Sequence, residues 1–594
     1  MMAEDDVAAT PMLPVLEDMQ HWTAVMARAQ HMMLEFAARQ MTEAQDRLGT
    51  SSALETLWPG FGELTDSARI AKAQVDLWGE GVAIWERILT GAPDKKREIE
   101  EKADRDRRFS APQWKANPLF DLLRQSYLLV SERMLGSVEA LEGVDEKQRE
   151  QLRFAARAFL DAMSPSNFPM TNPEVMDRMI ETRGESLLKG LANMLRDLEK
   201  GQLTHTDATA FELGRNIAVT PGKVVKRTPL YELIQYAPAT KQVYTTPLVI
   251  FPPWINRFYI LDLNPQKSFI RWAVEHGLTV FIVSWKSADE SMAGVTMDDY
   301  VVRGQIDAID TVRDLLGVES VHTIGYCVAG TTLAATLALL EARGEAGKVA
   351  SATFFTAQVD FSEAGDLNLF VTDEQMQVIE ALSAEKGVMD GRYMAATFNM
   401  LRGRDLIWNY VTSNYLKGED YPPFDLLHWN SDTTNLPAGW HQAYLRDLYR
   451  DNKLVQPGAL TVDGTPIDIS TVKTPTYVQA GREDHIAPAK SVWKITNYFR
   501  GPLRFVLAGS GHIAGVVNPP EARKYQYWTN DAQVDTLDAF IAGAKETKGS
   551  WWPDWLGWIA EKSGNKVPAT KARVPGAGKL QALEEAPGSY VRAR

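Results

Sequence analysis

Residues 325–331 have the sequence GYCVAGT and predict a sharp bend between a strand and a helix. The residues before the bend predict a buried strand over Ser320–Ile324, and those after it predict a helix over Thr331–Glu341. A side chain on such a strand–turn–helix bend is held above the edge of the sheet, where it can act as a nucleophile. The stretch therefore makes Cys327 the first candidate for a catalytic residue.

The residues around Cys327 suit a reactive thiol. The residues two before and two after a nucleophile at such a bend must be small, and Gly325 and Ala329 occupy these positions. The amide of Val328 is a candidate oxyanion donor at the start of the helix, and the helix dipole favours a thiolate. Cys327 is the one cysteine in the chain, which excludes an intramolecular disulfide and a multi-cysteine metal site. A lone cysteine is usually a buried apolar residue, but this setting favours a nucleophile.

Strand-like segments alternate with helical ones from about Leu213, a pattern that predicts an α/β protein with a parallel sheet covered on both faces. Together with the bend, this pattern predicts an α/β-hydrolase fold. The other strands are predicted over Val243–Phe251, Thr279–Trp285, Ala350–Phe355, Thr476–Ala480 and Arg504–Ala508.

Two domains are expected. Residues 1–205 predict a mostly helical domain, and residues 206–594 form the predicted catalytic domain. Within the latter, the aromatic-rich stretch 361–458 predicts a lid or cap insertion, and the tail 563–594 is expected to be loosely ordered. Near the beginning, an apolar helix face is predicted from Trp22, Met26, Met33 and Phe36.

Composition limits the classes of function. The 63 Lys and Arg residues against 77 Asp and Glu residues give a formal net charge of −14, which does not favour nucleic-acid binding. The acidic beginning of the sequence is unlike a signal peptide, and no apolar run is long enough to span a bilayer. A cytoplasmic protein is therefore expected.

A cysteine nucleophile needs a base and an orienting acid, which in this fold follow it along the chain in the order acid, then histidine. His512 leaves the last predicted strand in a flexible Gly-Ser-Gly loop, where the base belongs. The preceding strand leads into Glu483 and Asp484, of which we choose Asp484 as the acid. His485 is expected to be a structural or supporting neighbour.

A second oxyanion donor is expected from the loop after the strand two before the nucleophile strand. That loop follows Pro252 and Pro253, which stiffen it but supply no N–H groups. A backbone amide at Ile255 or Asn256 is therefore the second candidate donor.

The chain resembles the class I polyhydroxyalkanoate synthases, the polymerases of bacterial polyester storage granules. The resemblance extends from about residue 210 to residue 560. It is carried by Gly214-Arg215-Asn216, Val219–Gly222, Pro252–Leu263, Ser284–Tyr300, Gly325–Thr331, Trp429–Trp440, Arg482–Ile486, Ser510–Pro520 and Gly549–Trp555.

The resemblance implies a Cys327 nucleophile, a His512 base and Asp484 as third member of the triad. It marks Asp262 as an important acidic position, for which a structural role is an equal alternative, and Trp429 as a position of dimer contacts. One departure is Ala329, where the family usually has glycine.

The resemblance also implies a 3-hydroxyacyl-CoA substrate, a growing polyester chain as product, a homodimer and attachment to cytoplasmic granules and their associated proteins. No cofactor and no metal ion are expected, because the CoA thioester is itself the substrate. Two alternatives remain open: a cysteine thioesterase or esterase of the same fold, and a non-catalytic granule-coating protein.

Overall fold

The computed structural model describes residues 104–593 and a few isolated earlier ones, namely Val25, Arg28, His31, Met32 and Glu101. The predicted apolar face of Trp22, Met26, Met33 and Phe36 lies outside the described residues. The chain divides into two compact units: one comprises Met1–His205 with Arg402–Tyr421, the other Thr206–Leu401 with Pro422–Arg594. The predicted insertion 361–458 is thus divided between the two units.

The first unit is helical where it is described. Asn117 caps the helix Pro118–Glu139 at the amide of Leu119, and Asp145 and Gln148 form a capping box at the helix Glu146–Ala162. Residues 402–421 pack closely on the helix Glu185–Lys200, since a Cβ atom added to Gly190 would lie 1.8 Å from the carbonyl oxygen of Tyr415. The helices are α1 Gln113–Ala116, α2 Pro118–Glu139, α3 Glu146–Ala162, α4 Pro173–Glu181 and α5 Glu185–Lys200.

The second unit contains a large sheet with helices between its strands. The strands are β1 Gly222–Arg227, β2 Tyr231–Tyr236, β3 Gln242–Tyr244, β4 Leu248–Phe251, β5 Val280–Trp285, β6 Val321–Tyr326, β7 Val349–Phe355, β8 Val388–Met389, β9 Leu436–Pro437, β10 Thr461–Val462, β11 Thr465–Pro466, β12 Thr476–Gly481, β13 Leu503–Ala508, β14 Gln526–Thr529, β15 Lys545–Lys548, β16 Lys566–Pro568 and β17 Glu584–Glu585. The helices are α6 Phe269–Glu275, α7 Asp307–Leu316, α8 Val328–Ala342, α9 Asp373–Ser383, α10 Gly391–Leu401, α11 Asp425–Ser431, α12 Ala438–Ala443, α13 Ala489–Trp493, α14 Ile495–Tyr498, α15 Leu537–Ala542 and α16 Trp552–Ala560.

Across the described residues, the main sheet has eleven strands in the order β15-β14-β13-β12-β7-β6-β4-β5-β2-β1-β17. The strands from β13 to β5 in this order are parallel to one another, which confirms the predicted fold class. Strands β4 to β7 and β12 are almost entirely buried, as expected for a sheet covered on both faces.

Both edges of the sheet are antiparallel and consist of strands that the sequence analysis did not predict. Strand β2 runs antiparallel to β1 and β5, and β14 runs antiparallel to β13 and β15. The turn between β1 and β2 is only three residues long, and such a short connection permits an antiparallel pair alone.

The prediction of a loosely ordered tail is wrong. Strand β16 pairs with β3, and β17 extends the main sheet beside β1. Arg573 is buried, and its guanidinium donates to the Tyr244 and Thr245 carbonyls and to the Thr279 hydroxyl. These long-range contacts order a segment whose local composition is typical of a loop. No helix in the part of the chain that is described is long and apolar enough to cross a lipid bilayer.

Candidate active site

Four loops of the second unit meet at one edge of its sheet. Cys327 follows β6, Asp484 follows β12, His512 follows β13, and Ile255 follows β4. Since these strands are parallel and close together in the sheet, their carboxyl ends lie at the same edge. In open α/β sheets this edge is where ligands bind.

The bend at Cys327 is strained, as expected for a presented nucleophile. Its backbone has φ 54° and ψ −127°, values that a residue with a side chain rarely adopts. The surrounding chain holds this conformation, because the Cys327 amide donates to the Phe355 carbonyl at 2.9 Å and the Cys327 carbonyl accepts from the Gly330 amide at 2.8 Å.

Positions 325 and 330 both lack room for a side chain. A Cβ atom added to Gly325 would lie 2.5 Å from the Cα of Gly330, and one added to Gly330 would lie 2.4 Å from the Cβ of Ala357. The sequence analysis expected small residues at positions 325 and 329 and did not include Gly330. Glycine is therefore needed three residues after the nucleophile, where the helix begins.

Asp484 and His512 form a buried hydrogen-bonded pair. The His512 Nδ1 atom lies 2.7 Å from Oδ2 of Asp484, and both residues are at most 8% exposed. The other carboxylate oxygen, Oδ1, accepts from the amides of Ile486 at 2.8 Å and Ala487 at 2.9 Å. The carboxylate is thereby fixed, and it orients the imidazole so that Nε2 faces away from it.

The Cys327 thiol and the His512 imidazole interact electrostatically. Burial acts to lower the pKa of His512, but the charges of Asp484 and Cys327 outweigh it and raise the pKa well above its ordinary value of 6.5. The site therefore favours an imidazolium that has taken up a proton beside the sulfur.

Two of the three candidate oxyanion donors lie at the cavity that contains Cys327, and one does not. Val328 and Ile255 line the same cavity as Cys327. Asn256 instead lies opposite Thr433 in an isolated antiparallel bridge. Of the two residues expected in this loop, Ile255 is thus the one beside the nucleophile.

The cavity at Cys327 has a volume of about 70 Å³ and an almost wholly apolar lining. The predicted insertion contributes much of this lining, all of it from the segments that belong to the second unit. The residues concerned are Phe361, Leu367, Met394, Phe398, Tyr444 and Tyr449. The insertion therefore covers the sulfur with apolar side chains.

Asp262 lies in a separate network of hydrogen bonds. Its carboxylate accepts from the hydroxyls of Thr220 and Ser268 and from the Thr220 amide, and the residue is 1% exposed. Burial raises its pKa, although the hydrogen bonds from Ser268 and Thr220 oppose this effect. It does not line the cavity at Cys327.

His485 and Trp429 also lie outside the cavity lining. His485 is half-buried beside Asp484. Trp429 is only 5% exposed, and its indole N–H donates to the Arg257 carbonyl at 2.7 Å. This contact ties the insertion to the loop that carries Ile255. The dimer contact at Trp429 stays a prediction.

The sequence analysis missed two polar residues that line the cavity, Thr356 and Gln358. Both follow the predicted strand Ala350–Phe355, at the same edge as Cys327. Their position just after a predicted parallel strand could have identified them, as it identified the three triad candidates. Within residues 104–593 and the few described before them, no group of three or more His, Cys, Asp or Glu side chains is arranged to hold a metal ion.

A largely parallel sheet with a cysteine on a strained bend, an aspartate and a histidine after successive strands is typical of the α/β-hydrolase fold, and residues 247–519 match the family model of that fold. Residues 105–273 match the model described as the N-terminus of poly-beta-hydroxybutyrate polymerase. The chain belongs to the poly(3-hydroxyalkanoate) polymerase family, as its similarity to curated relatives establishes.

Three relatives illustrate this similarity. The poly(3-hydroxyalkanoate) polymerase subunit PhaC of Rhizobium meliloti is 44% identical over 92% of this chain and 89% of its own length. The polymerase of Methylorubrum extorquens is 45% identical over 89% of this chain and 88% of its own length. The PhaC subunit of Cupriavidus necator is 44% identical over 86% of each chain. Among solved structures, a carboxylesterase of Nitrososphaera gargenis is 14% identical, with a TM-score of 0.30 over 57% of this chain and 98% of that one, a likeness too distant to bear on function.

Proposed function

We propose that this chain polymerises (R)-3-hydroxyacyl groups from their CoA thioesters into a polyester, through an acyl group attached to Cys327. The observation that carries the proposal is the buried Asp484–His512 pair together with a thiol that sits on a strained bend and lines an apolar cavity. The relatives' names point to the same activity.

In the first step, His512 takes the proton from Cys327, and the thiolate attacks the thioester carbonyl. The bond to the CoA sulfur then breaks, and His512 returns the proton to the departing CoA. The amides of Val328 and Ile255 are proposed to hold the developing oxyanion. One thioester replaces another, so the exchange is nearly isoenergetic and the acyl group stays activated. An ester formed on serine would lose that activation, which explains the use of cysteine.

In the second step, the hydroxyl of another acyl unit or of the growing chain attacks the acyl-enzyme. We assign its deprotonation to His512, assisted by Asp484. Direct activation by Asp484 is less favoured, because its Oδ2 is engaged by His512 and its Oδ1 by two backbone amides.

Water has to be kept from the acyl-enzyme, since it would hydrolyse the thioester. The apolar side chains that the insertion places around Cys327 suit this role. The small cavity, about 70 Å³ against the roughly 300 to 1,000 Å³ of sites for drug-sized ligands, favours short acyl groups such as 3-hydroxybutyryl.

The proposal extends to the setting of the enzyme. It includes a homodimer in the cytoplasm, attached to polyester granules and in contact with granule-associated proteins, as the family resemblance implies. The reaction as proposed needs no cofactor and no metal ion.

The test is incubation with 3-hydroxybutyryl-CoA while free CoA thiol and insoluble polymer are measured together. We expect both to appear with the wild type and neither to appear with Cys327→Ala, whose thermal unfolding checks that it is folded. Release of soluble 3-hydroxybutyrate without polymer would instead identify a thioesterase. Substantial CoA release by folded Cys327→Ala would overturn the assignment of the nucleophile.

A further inference from the structure

Thr356 occupies a strained position next to the nucleophile. It directly follows β7 and has φ 41°, in the left-handed region that a β-branched residue rarely adopts. Its amide donates to the Gln479 carbonyl at 2.8 Å, and the carbonyl of the preceding residue, Phe355, accepts from the Cys327 amide. The same short segment thus fixes both Thr356 and the backbone of Cys327.

Gln358 is held from two sides of the active site. Its side-chain Nε2 donates to the Ile486 carbonyl at 3.0 Å, in the loop that also carries Asp484. Its backbone carbonyl accepts from the Thr331 hydroxyl at 2.7 Å, on the helix that follows Cys327. Because Nε2 is committed to Ile486, the remaining amide atom, Oε1, is an oriented acceptor.

Both side chains keep one polar oxygen without a partner. Among the described residues, neither the Thr356 Oγ1 atom nor the Gln358 Oε1 atom has a hydrogen bond, although Thr356 is 0% exposed and Gln358 is 4% exposed. Both residues line the cavity that contains Cys327. A buried polar oxygen without a partner is costly, so a ligand group that pairs with it is bound selectively.

The chemistry of the two oxygens defines the ligand group. A threonine hydroxyl both donates and accepts, whereas a glutamine carbonyl oxygen only accepts. A hydroxyl satisfies both oxygens, because it can donate to Gln358 and accept from Thr356. On an acyl chain bound at Cys327, the 3-hydroxyl is the polar group beyond the reacting carbonyl.

We propose that Thr356 and Gln358 bind the 3-hydroxyl of the acyl group and thereby select hydroxyacyl thioesters over acyl thioesters of the same length. This inference rests on the proposed function, since it names the substrate feature that the same site recognises. A site built to pair with a hydroxyl rejects the analogue without it strongly, because its own polar groups are then left unpaired.

The experiment measures the single-turnover release of CoA from (R)-3-hydroxybutyryl-CoA and from butyryl-CoA, which lacks the hydroxyl. We expect the wild type to prefer the hydroxylated thioester by a factor of at least about 100. Thr356→Val and Gln358→Met should each reduce this preference about tenfold, mainly by slowing the hydroxylated thioester. Thr356→Ser keeps a hydroxyl and should retain most of the preference.

A matched control is Thr353→Val, on the strand that Thr356 directly follows. The Thr353 hydroxyl is buried too, but it accepts from the Trp555 indole at 3.0 Å and is not part of the cavity lining. Its loss should affect both thioesters equally, and thermal unfolding of each variant shows how far the fold is affected.

The outcomes separate the two proposals. If Thr356→Val and Gln358→Met slow both thioesters by the same factor, or leave the preference unchanged, the two oxygens bind water or serve the fold, and the inference is wrong. If the wild type releases no CoA from either thioester, the proposed function itself fails, and the recognition of the hydroxyl fails with it.

Discussion

Two buried aspartates in the second unit show how similar burial serves different ends. Both carboxylate oxygens of Asp262 accept hydrogen bonds, from the hydroxyls of Thr220 and Ser268 and from the Thr220 amide. Asp484 uses one oxygen for backbone amides and reserves the other for His512, beside the cavity. The comparison teaches that the partner, rather than the burial of a carboxylate, distinguishes a candidate catalytic acid from a structural one.

The largest difference is expected from substitution of Asp484. Asp484→Asn keeps the shape of the side chain but removes the charge that orients His512 and stabilises its imidazolium. We expect CoA release to fall by about 10³- to 10⁴-fold, as is typical of such a change in a triad. The measurement is the initial rate with 3-hydroxybutyryl-CoA. A loss of less than tenfold in folded protein would remove Asp484 from the triad.

Asp262→Asn should lower the stability of the fold and leave CoA release nearly unchanged. Its Oδ2 accepts from the Thr220 amide, so an amide nitrogen there would face another donor. We expect a loss of about 1 to 3 kcal/mol in the free energy of unfolding, with CoA release within a few-fold of the wild type. Denaturant unfolding and the same assay check both. If activity falls as far as in Asp484→Asn while stability is kept, the structural role of Asp262 is wrong.

The pH dependence of stability sharpens the comparison. Burial lowers the pKa of His512, but the charges of Asp484 and Cys327 raise it well above 6.5 overall. A raised pKa stabilises the folded state fully below the unfolded value, and this contribution is lost as the pH rises through the folded value.

The stability difference between the wild type and Asp484→Asn should therefore be larger near pH 6 than near pH 9. Denaturant unfolding across this range measures it, and Asp262→Asn serves as the control for a buried carboxylate without a histidine partner. An equal difference at both pH values would contradict the raised pKa of His512.

The smallest effect concerns the loop that follows His512. The indole N–H of Trp551 donates to the Gly515 carbonyl at 2.8 Å, and that of Trp552 donates to Val516 at 2.9 Å. Trp551→Phe keeps an aromatic ring but loses this donor. We expect CoA release to fall about three- to tenfold, because the loop would hold His512 less accurately.

Trp555→Phe is the matched control for this change. Trp555 is equally buried, but its indole N–H donates to Thr353 and not to the His512 loop. Trp555→Phe should lose about as much stability as Trp551→Phe, but its rate of CoA release should stay at the wild-type value. Equal rates in the two variants would show that the indole contacts act on the fold alone.

Much of the site was predictable because it depends on order along the chain. Three residues that follow three parallel strands must meet at one edge of the sheet, and for this reason the sequence predicts that Cys327, Asp484 and His512 lie together. Their catalytic roles stay predictions until variants are assayed. The fold class followed from the same alternation of strands and helices.

What the sequence did not reveal depends on contacts between distant residues. The need for glycine at position 330 arises from Ala357, and the strain at Thr356 arises at the end of a strand, where no local pattern marks it. The order of the tail depends on Arg573, whose partners lie about 300 residues earlier. Composition alone contains none of this information.

The loop that carries Ile255 is held by hydrogen bonds to residues far along the chain. The guanidinium of Arg257 donates to the carbonyls of Tyr590 at 3.1 Å and Ala593 at 2.7 Å, more than 330 residues downstream. During synthesis on the ribosome, these hydrogen bonds cannot form until residues 590–593 have emerged. A nascent chain can thus form the bend at Cys327 while the loop that carries Ile255 still lacks these two hydrogen bonds.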